Sequence, residues 1–351
     1  MPAYLDNAAT TPVCAQAVQA ALDAMTAGFG NPSSGYAAGK TALERLNADR
    51  AAVSAALGCS PEELFFTSCG TEGDNWAIQM GAESGKRRGR HIITTVAEHA
   101  AVLEPVKVLE GLGWEVTRLK TDRTGHVSVE DFAAALRSDT VLVSMMLVNN
   151  ETGAVFPVAE CARLAKERNP ALLFHTDAVQ AFLKVPFTPD KLGVDLLTIS
   201  GHKVRAPKGI GALYIRKGVK LHPLLVGGGQ ERGLRPGTEP TAQISALAAA
   251  CQAWNPAYPE HIAAFKHYAL ERLAGIPGLE IVSRGDAPHI CAISLPGYPS
   301  EMLVRDLSDR GVYVSSGSAC HRGKPSHVFA AMGLPKRILT GMLRISFSPD
   351  N

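Results

Sequence analysis

An α/β fold with a mostly parallel sheet is what this sequence predicts, and three observations carry the prediction. Between about residues 63 and 200, short apolar runs alternate with loops and helical segments, the order that builds a parallel sheet covered by helices. The runs at 140–148 and 172–176 are largely apolar, as strands buried on both faces are. Polar groups suited to binding follow the ends of these runs: Thr71, His99, Asn150, Asp177, Ser200 and Lys203. In open α/β sheets ligands bind beyond the carboxyl ends of the strands, so these separate turns point to one edge and one site.

Taken in order, residues 4–12 form a polar turn leading into a helix at 15–27. The loop at 29–34 is rich in turn formers; its Asn31 reads equally well as a substrate contact or as a helix cap. A second helix runs over 37–57 and stops at Gly58. A short strand at 63–67 then enters Ser68-Cys69-Gly70-Thr71, with a helix continuing through Trp76 and Ile78. A turn of small residues at a helix start directs free N–H groups and the positive helix end outward, which suits an anion. Gly70 and Thr71 lie nearest such a ligand; a plain helix cap is the alternative.

A strand at 91–96 leads to His99, where an imidazole could stack on a flat cofactor and shuttle protons or serve structure alone. Strands at 115–119 and 140–148 follow, the latter ending in Asn149-Asn150-Glu151-Thr152-Gly153. The run at 172–176 ends in Asp177-Ala178-Val179-Gln180. A carboxylate at the end of a buried strand needs a partner, and a protonated pyridine nitrogen is a good one. Asn150 and Gln180 are placed to hydrogen-bond a ring hydroxyl or the substrate.

Strands at 194–199 and 211–215 flank Ser200, His202 and Lys203. A lysine at the mouth of a buried strand is poorly solvated, so its amine can become a nucleophile. Beside it, a hydroxyl and an imidazole are suited to a phosphate. Together they read as a Schiff-base lysine with half a phosphate cradle, hence pyridoxal 5'-phosphate, against an ordinary basic hairpin turn. Residues 226–238 form a flexible basic loop, or a simple linker. A helix at 241–254 ends at the break 255–259, which divides a large domain (13–255) from a small one (1–12 and 256–351). Helices at 261–274 and 300–310 and strands near 281 and 289–295 complete the small domain. In the loop at 312–325, Cys320 lies among small residues with His321, Arg322 and Lys324 around it. Cationic neighbours favour the thiolate, so Cys320 is a candidate nucleophile.

The totals agree with this class. A length of 351 residues suggests about two domains, and 46% hydrophobic residues suffice for a large core. A net charge of +2 points to neither nucleic acid nor a membrane surface as a main partner. No leader and no run long enough to span a bilayer is evident, so a cytoplasmic protein is expected. The seven cysteines have no metal-site spacing and read as free thiols, with no metal implied.

Taken together, the segments YLDNAATTP, FGNPSS, FTSCGTEGDN, AEH, NNETG, HTDAVQ, SGHKVRAPKGIGALYIR, GGGQERGLRPGT and SSGSAC resemble the cysteine desulfurases, the NifS/IscS-like branch of the class V aminotransferases. The resemblance spans residues 4–347. It implies the three-layer fold type I of pyridoxal-phosphate transferases, a homodimer, and conversion of L-cysteine to L-alanine with the sulfur kept as a persulfide on Cys320. It further implies that Lys203 forms the Schiff base, His99 stacks on the ring, Asp177 pairs with its nitrogen and Gln180 contacts its hydroxyl. Asn150 would help hold cofactor and substrate. Gly70, Thr71, Ser200 and His202 would hold the phosphate, helped by Thr238 of the other subunit, and Asn31 and Arg344 would bind the substrate carboxylate. The sulfur acceptor would be a protein such as an iron–sulfur scaffold or a thiolation enzyme. Cys69 stands where the family usually has glycine, Tyr36 replaces a common histidine, and the loop after Cys320 is short. Selenocysteine lysis could use the same residues, whereas amino transfer has no use for Cys320, and retention of both Lys203 and Cys320 argues against a non-catalytic scaffold that keeps the cofactor only for stability.

Overall fold

The computed structural model describes residues 2–317 and 326–351. The chain begins with β1 (Ala3–Tyr4), α1 (Ala15–Thr26), α2 (Ala37–Leu57), β2 (Leu64–Thr67) and α3 (Gly70–Gly85). It continues through β3 (His91–Thr95), α4 (Ala100–Gly111), β4 (Glu115–Leu119), α5 (Val129–Ala135), β5 (Thr140–Ser144) and α6 (Val158–Arg168). Then come β6 (Leu173–Asp177), α7 (Pro189–Leu192), β7 (Leu196–Ser200), β8 (Gly211–Ile215), α8 (Thr241–Gln252) and α9 (Tyr258–Ala274). The last elements are β9 (Glu280–Ser283), β10 (Ile290–Ser294), α10 (Ser300–Asp309), β11 (Val312–Tyr313), α11 (His327–Ala331), α12 (Lys336–Thr340) and β12 (Met342–Ser346).

Seven strands form the main sheet in the order β2-β8-β7-β6-β5-β3-β4. Only β8 runs against the rest, pairing antiparallel with both β2 and β7. Side chains alternate between two apolar faces. Ile92, Leu142, Leu173, Leu196 and Leu213 pack under α3 and α4, while Ile93, Val143, Phe174, Leu197 and Ala212 join the core of α2, α5, α6 and α8. This two-sided burial gives three layers and explains why these strands read as apolar runs rather than as alternating ones. Two smaller sheets complete the fold: antiparallel β12-β10-β9, with α9 on one face, and parallel β1-β11. The N-terminal strap crosses between the parts. Asn7 donates to Ser346 O (3.0 Å), and Thr11 donates through its N–H to His202 O (2.9 Å).

The strand expected over 140–148 ends at Ser144. Residues 145–148 stay buried but bond singly, Met145 N to His175 O (3.1 Å) and Leu147 N to Asp177 O (2.9 Å). Bonds to the returning segment, Phe156 N to Leu147 O among them, draw this stretch out of the ladder. Helices α5 and α6 were not anticipated. Ser128 caps α5 by accepting from Asp131 N, and Lys166 and Arg168 close the last turn of α6; these are helix-end signals present in the sequence.

Residues 226–238 are not a slack linker. Arg50 forks onto the Glu231 carboxylate (2.5 and 2.8 Å), and Glu231 also accepts from Phe66 N (3.0 Å). Both side chains of the pair are buried. Arg50→Ala leaves a buried carboxylate without its cation and is expected to cost about 3–5 kcal/mol of stability, read as a lower denaturant midpoint.

Candidate active site

Because six of the seven strands share a direction, their carboxyl ends meet on one edge. A cavity of about 360 Å³ opens there. Gly70, Thr71, His99, Asn150, Asp177, Gln180, Ser200, His202, Lys203 and Arg344 all line it. A second groove of about 410 Å³ beside the chain ends gathers no lysine, histidine or cysteine, so the chemistry belongs to the first.

Lys203 closes a single 3-10 turn, Gly201–Lys203, after β7. Its Nζ donates to Ala8 O (2.9 Å) and Ala9 O (2.7 Å) of the N-terminal strap. Burial, reinforced by Arg344 and opposed by Asp177, pushes the ammonium down to about 8. The neighbouring His202 is pushed down to about 4 by burial and then by Lys203. A lysine amine reacts only when deprotonated, so labelling of Lys203 by cyanate in cofactor-free protein is expected to rise with pH and reach half its plateau near pH 8. Peptide mass spectrometry against pH reads this directly; a midpoint at the ordinary lysine value near 10.4 would remove the desolvation account.

Asp177 is the last residue of β6 and is buried. Its Oδ1 accepts from Val179 N (2.8 Å), which leaves Oδ2 for a ligand. Two further carboxyls, Asp74 and Glu98, are buried nearby. Burial, then the Asp177 charge, drives Asp74 well above its usual range, and burial raises Glu98 to about 8. Burial raises Asp177 too, and His99, the Val179 N–H and Lys203 offset this only in part. Of the three, Asp177 is the one at the strand end with an oxygen left to face a ligand's cation. His99 caps α4, its Nδ1 accepting from Ala101 N (3.2 Å). That bond puts the proton of the neutral ring on Nε2, and burial favours the neutral form.

Cys69 occupies the N-cap of α3 without a capping hydrogen bond from its side chain, so the first N–H groups of the helix remain available. Ser200, 2% exposed, has a hydroxyl with no partner among the described residues. A Cβ on Gly70 would stand 2.9 Å from Val179 Cγ2 and 3.5 Å from Ser200 Cβ, so this close approach needs glycine. Backbone donors and an orphaned hydroxyl on one wall are a donor set for an anion.

Arg344, on β12, pairs with Asp6 (2.6 Å) and donates to Asn150 O (3.0 Å). Asp6 went unnoticed in the sequence; the signal was a carboxylate in the N-terminal turn with no local cation. Gln180 donates to Ala8 O (2.9 Å) and lies 3.3 Å from His289 Nε2. Two candidates are not brought to this cavity. Asn31 is exposed, with its Oδ1 accepting from Ser33 N (2.9 Å), and Thr238 is exposed on its loop. Cys320 lies outside the described residues, although Gly317 lines the cavity.

The sequence profile described as Aminotransferase class-V matches residues 3–351. The chain belongs to the class-V aminotransferase family. A "Cysteine desulfurase IscS" of Methanosarcina thermophila is 43% identical over 357 residues, covering 99% of this chain and 87% of the relative. The solved "NIFS-LIKE PROTEIN" superposes with a TM-score of 0.94 at 38% identity, covering 100% of this chain and 95% of its own. A structure of "SspA in complex with cysteine" gives 0.88 at 34% identity, with 99% of each chain covered. Class-V aminotransferases are pyridoxal-phosphate enzymes of fold type I, and the sheet with its single reversed strand has that architecture.

Proposed function

We propose that this class-V aminotransferase is a pyridoxal-phosphate-dependent cysteine desulfurase, converting L-cysteine to L-alanine with the sulfur retained on Cys320. One observation carries the reading: a desolvated Lys203 amine shares a cavity with the buried Asp177 carboxylate and with the unpartnered Ser200 hydroxyl beside the α3 start. These residues fit the cofactor. Gly70, Thr71, Ser200 and His202 would hold its phosphate, Asp177 its ring nitrogen, Gln180 and Asn150 its hydroxyl edge, and His99 its face. When bound, it supplies an aldehyde for Lys203 and a ring that withdraws electrons.

This chain's residues do the rest. Lys203 Nζ would take the substrate Cα proton and hold it for return. Arg344, held by Asp6, is a cation for the substrate carboxylate, to be joined by Asn31 only across a dimer. His99 Nε2 donates and recovers a proton. The Cys320 thiolate attacks the substrate sulfur as the Cβ–S bond breaks; the bonding pair stays on the substrate Cβ, which takes up a proton on the way to alanine, and the persulfide remains on Cys320 for a protein acceptor in the cytoplasm.

Dimer formation is part of the proposal, on the domain division 13–255 against 1–12 and 256–351. Val18, Leu22 and Met25 of α1 form an exposed stripe at helical spacing, with Phe29 and Tyr36 exposed beyond it. A second copy covering this stripe is expected to bring Thr238 and Asn31 to the partner's cavity. Sedimentation showing a fully active monomer would contradict it. The activity itself is tested by incubating the protein with L-cysteine, measuring alanine, and locating added sulfur by mass spectrometry; no alanine from cofactor-loaded protein would overturn the reading.

A further inference from the structure

Glu72 is the one acidic residue in the first turn of α3. Its Oε2 accepts from Ser68 N at 2.8 Å, directly at the turn read above as the phosphate seat. A carboxylate there favours the positive helix end but repels a phosphate seeking the same N–H groups. Arg235 meets this carboxylate side-on, Nε to Oε1 at 2.8 Å and Nη2 to Oε2 at 3.2 Å. Both side chains are mostly buried, at 18% and 13% exposure, so solvent screens their charges little. Burial pushes Glu72 up, but the bonds from Arg235 and Ser68 outweigh it and leave the carboxyl below its ordinary value. Glu72 is therefore charged, and Arg235 is its counter-ion.

Arg235 is held in place for this contact. Its loop is pinned by the Arg50–Glu231 pair, and Arg232 lies over the Phe65 ring at 4.0 Å. Glu231 and Arg232 have φ of 48° and 57°, a left-handed backbone that non-glycine residues adopt only where surrounding contacts enforce it. A second sign of an anion is the buried, unpartnered Ser200 hydroxyl on the same wall, beside Gly70.

We propose that Arg235 is a positioning residue for phosphate binding: it cancels the Glu72 charge beside the seat and keeps that carboxylate bonded to Ser68, so that the first N–H groups of α3 stay open to the ligand. The inference rests on the reading of this turn as the cofactor's phosphate seat. Its test compares pyridoxal 5'-phosphate with pyridoxal, which lacks the phosphate, on cofactor-free protein by fluorescence titration. Arg235→Gln is expected to weaken pyridoxal 5'-phosphate on the order of tenfold, the size of an uncancelled charge at this range in a half-buried site, and to leave pyridoxal unchanged. Adding Glu72→Gln to that variant should restore most of the affinity, and Arg235→Lys, which keeps the charge, should retain it. Equal loss for both ligands, or a double variant as weak as Arg235→Gln alone, would overturn the inference. Wild-type protein that does not prefer pyridoxal 5'-phosphate over pyridoxal would instead overturn the phosphate seat itself.

Discussion

Lys203→Ala is expected to lower alanine formation at least roughly 10³-fold, because it removes both the amine that captures the cofactor and the base at the substrate. The fold should persist. The strap that Lys203 touches is also tied by Thr11 to the His202 carbonyl and by Arg205 N to Thr11 Oγ1 (2.9 Å). The Ala8 and Ala9 carbonyls lose a donor, a cost of about 1–3 kcal/mol if no water replaces it. Borohydride reduction followed by peptide mapping reads the chemistry. Wild type should fix the cofactor to Lys203 and the variant should fix none. A rival amine exists in Lys184, which is 4% exposed, has no hydrogen-bond partner among the described residues, and is pushed by burial down to about 7. A reducible linkage mapped to Lys184 in wild-type protein would overturn the assignment of Lys203.

Cys320→Ser is expected to bind cofactor and L-cysteine normally yet to form neither persulfide nor alanine, since a hydroxyl is a poor nucleophile towards sulfur. The structure strengthens this prediction by disposing of most other thiols. Cys59, Cys161, Cys251 and Cys291 are pushed by burial to about 12 and so stay protonated at neutral pH, and Cys14 is buried. Cys69 remains the competitor, because it is half-buried and lines the cavity. Mass spectrometry after brief exposure to L-cysteine separates the two. Added sulfur on Cys69, or full activity in Cys320→Ser, would overturn the mechanism.

Much of the site was legible because strand-end positions follow from short-range patterns. The apolar runs, the glycines and the turn formers put Thr71, His99, Asn150, Asp177, Ser200 and Lys203 at ends of successive strands, and parallel order brings such ends together whatever the loops do. Asn31 and Thr238 show the limit. Their loops could be read as exposed turns, and in the structure both residues are exposed and line no part of the cavity.

What the sequence determined by itself, then, was a set of candidate groups that mostly line one cavity at one sheet edge, since hydrophobic period and turn chemistry act over a few residues. Only the tertiary structure decided their charge states and partners. Asp6 meets Arg344 across 338 residues, Glu72 meets Arg235 across 163, and the carbonyls of Ala8 and Ala9 hold an amine nearly 200 residues away. Ionisation depends on burial and on the nearest opposite charge, and both are set by which distant segments pack together, which local sequence does not encode.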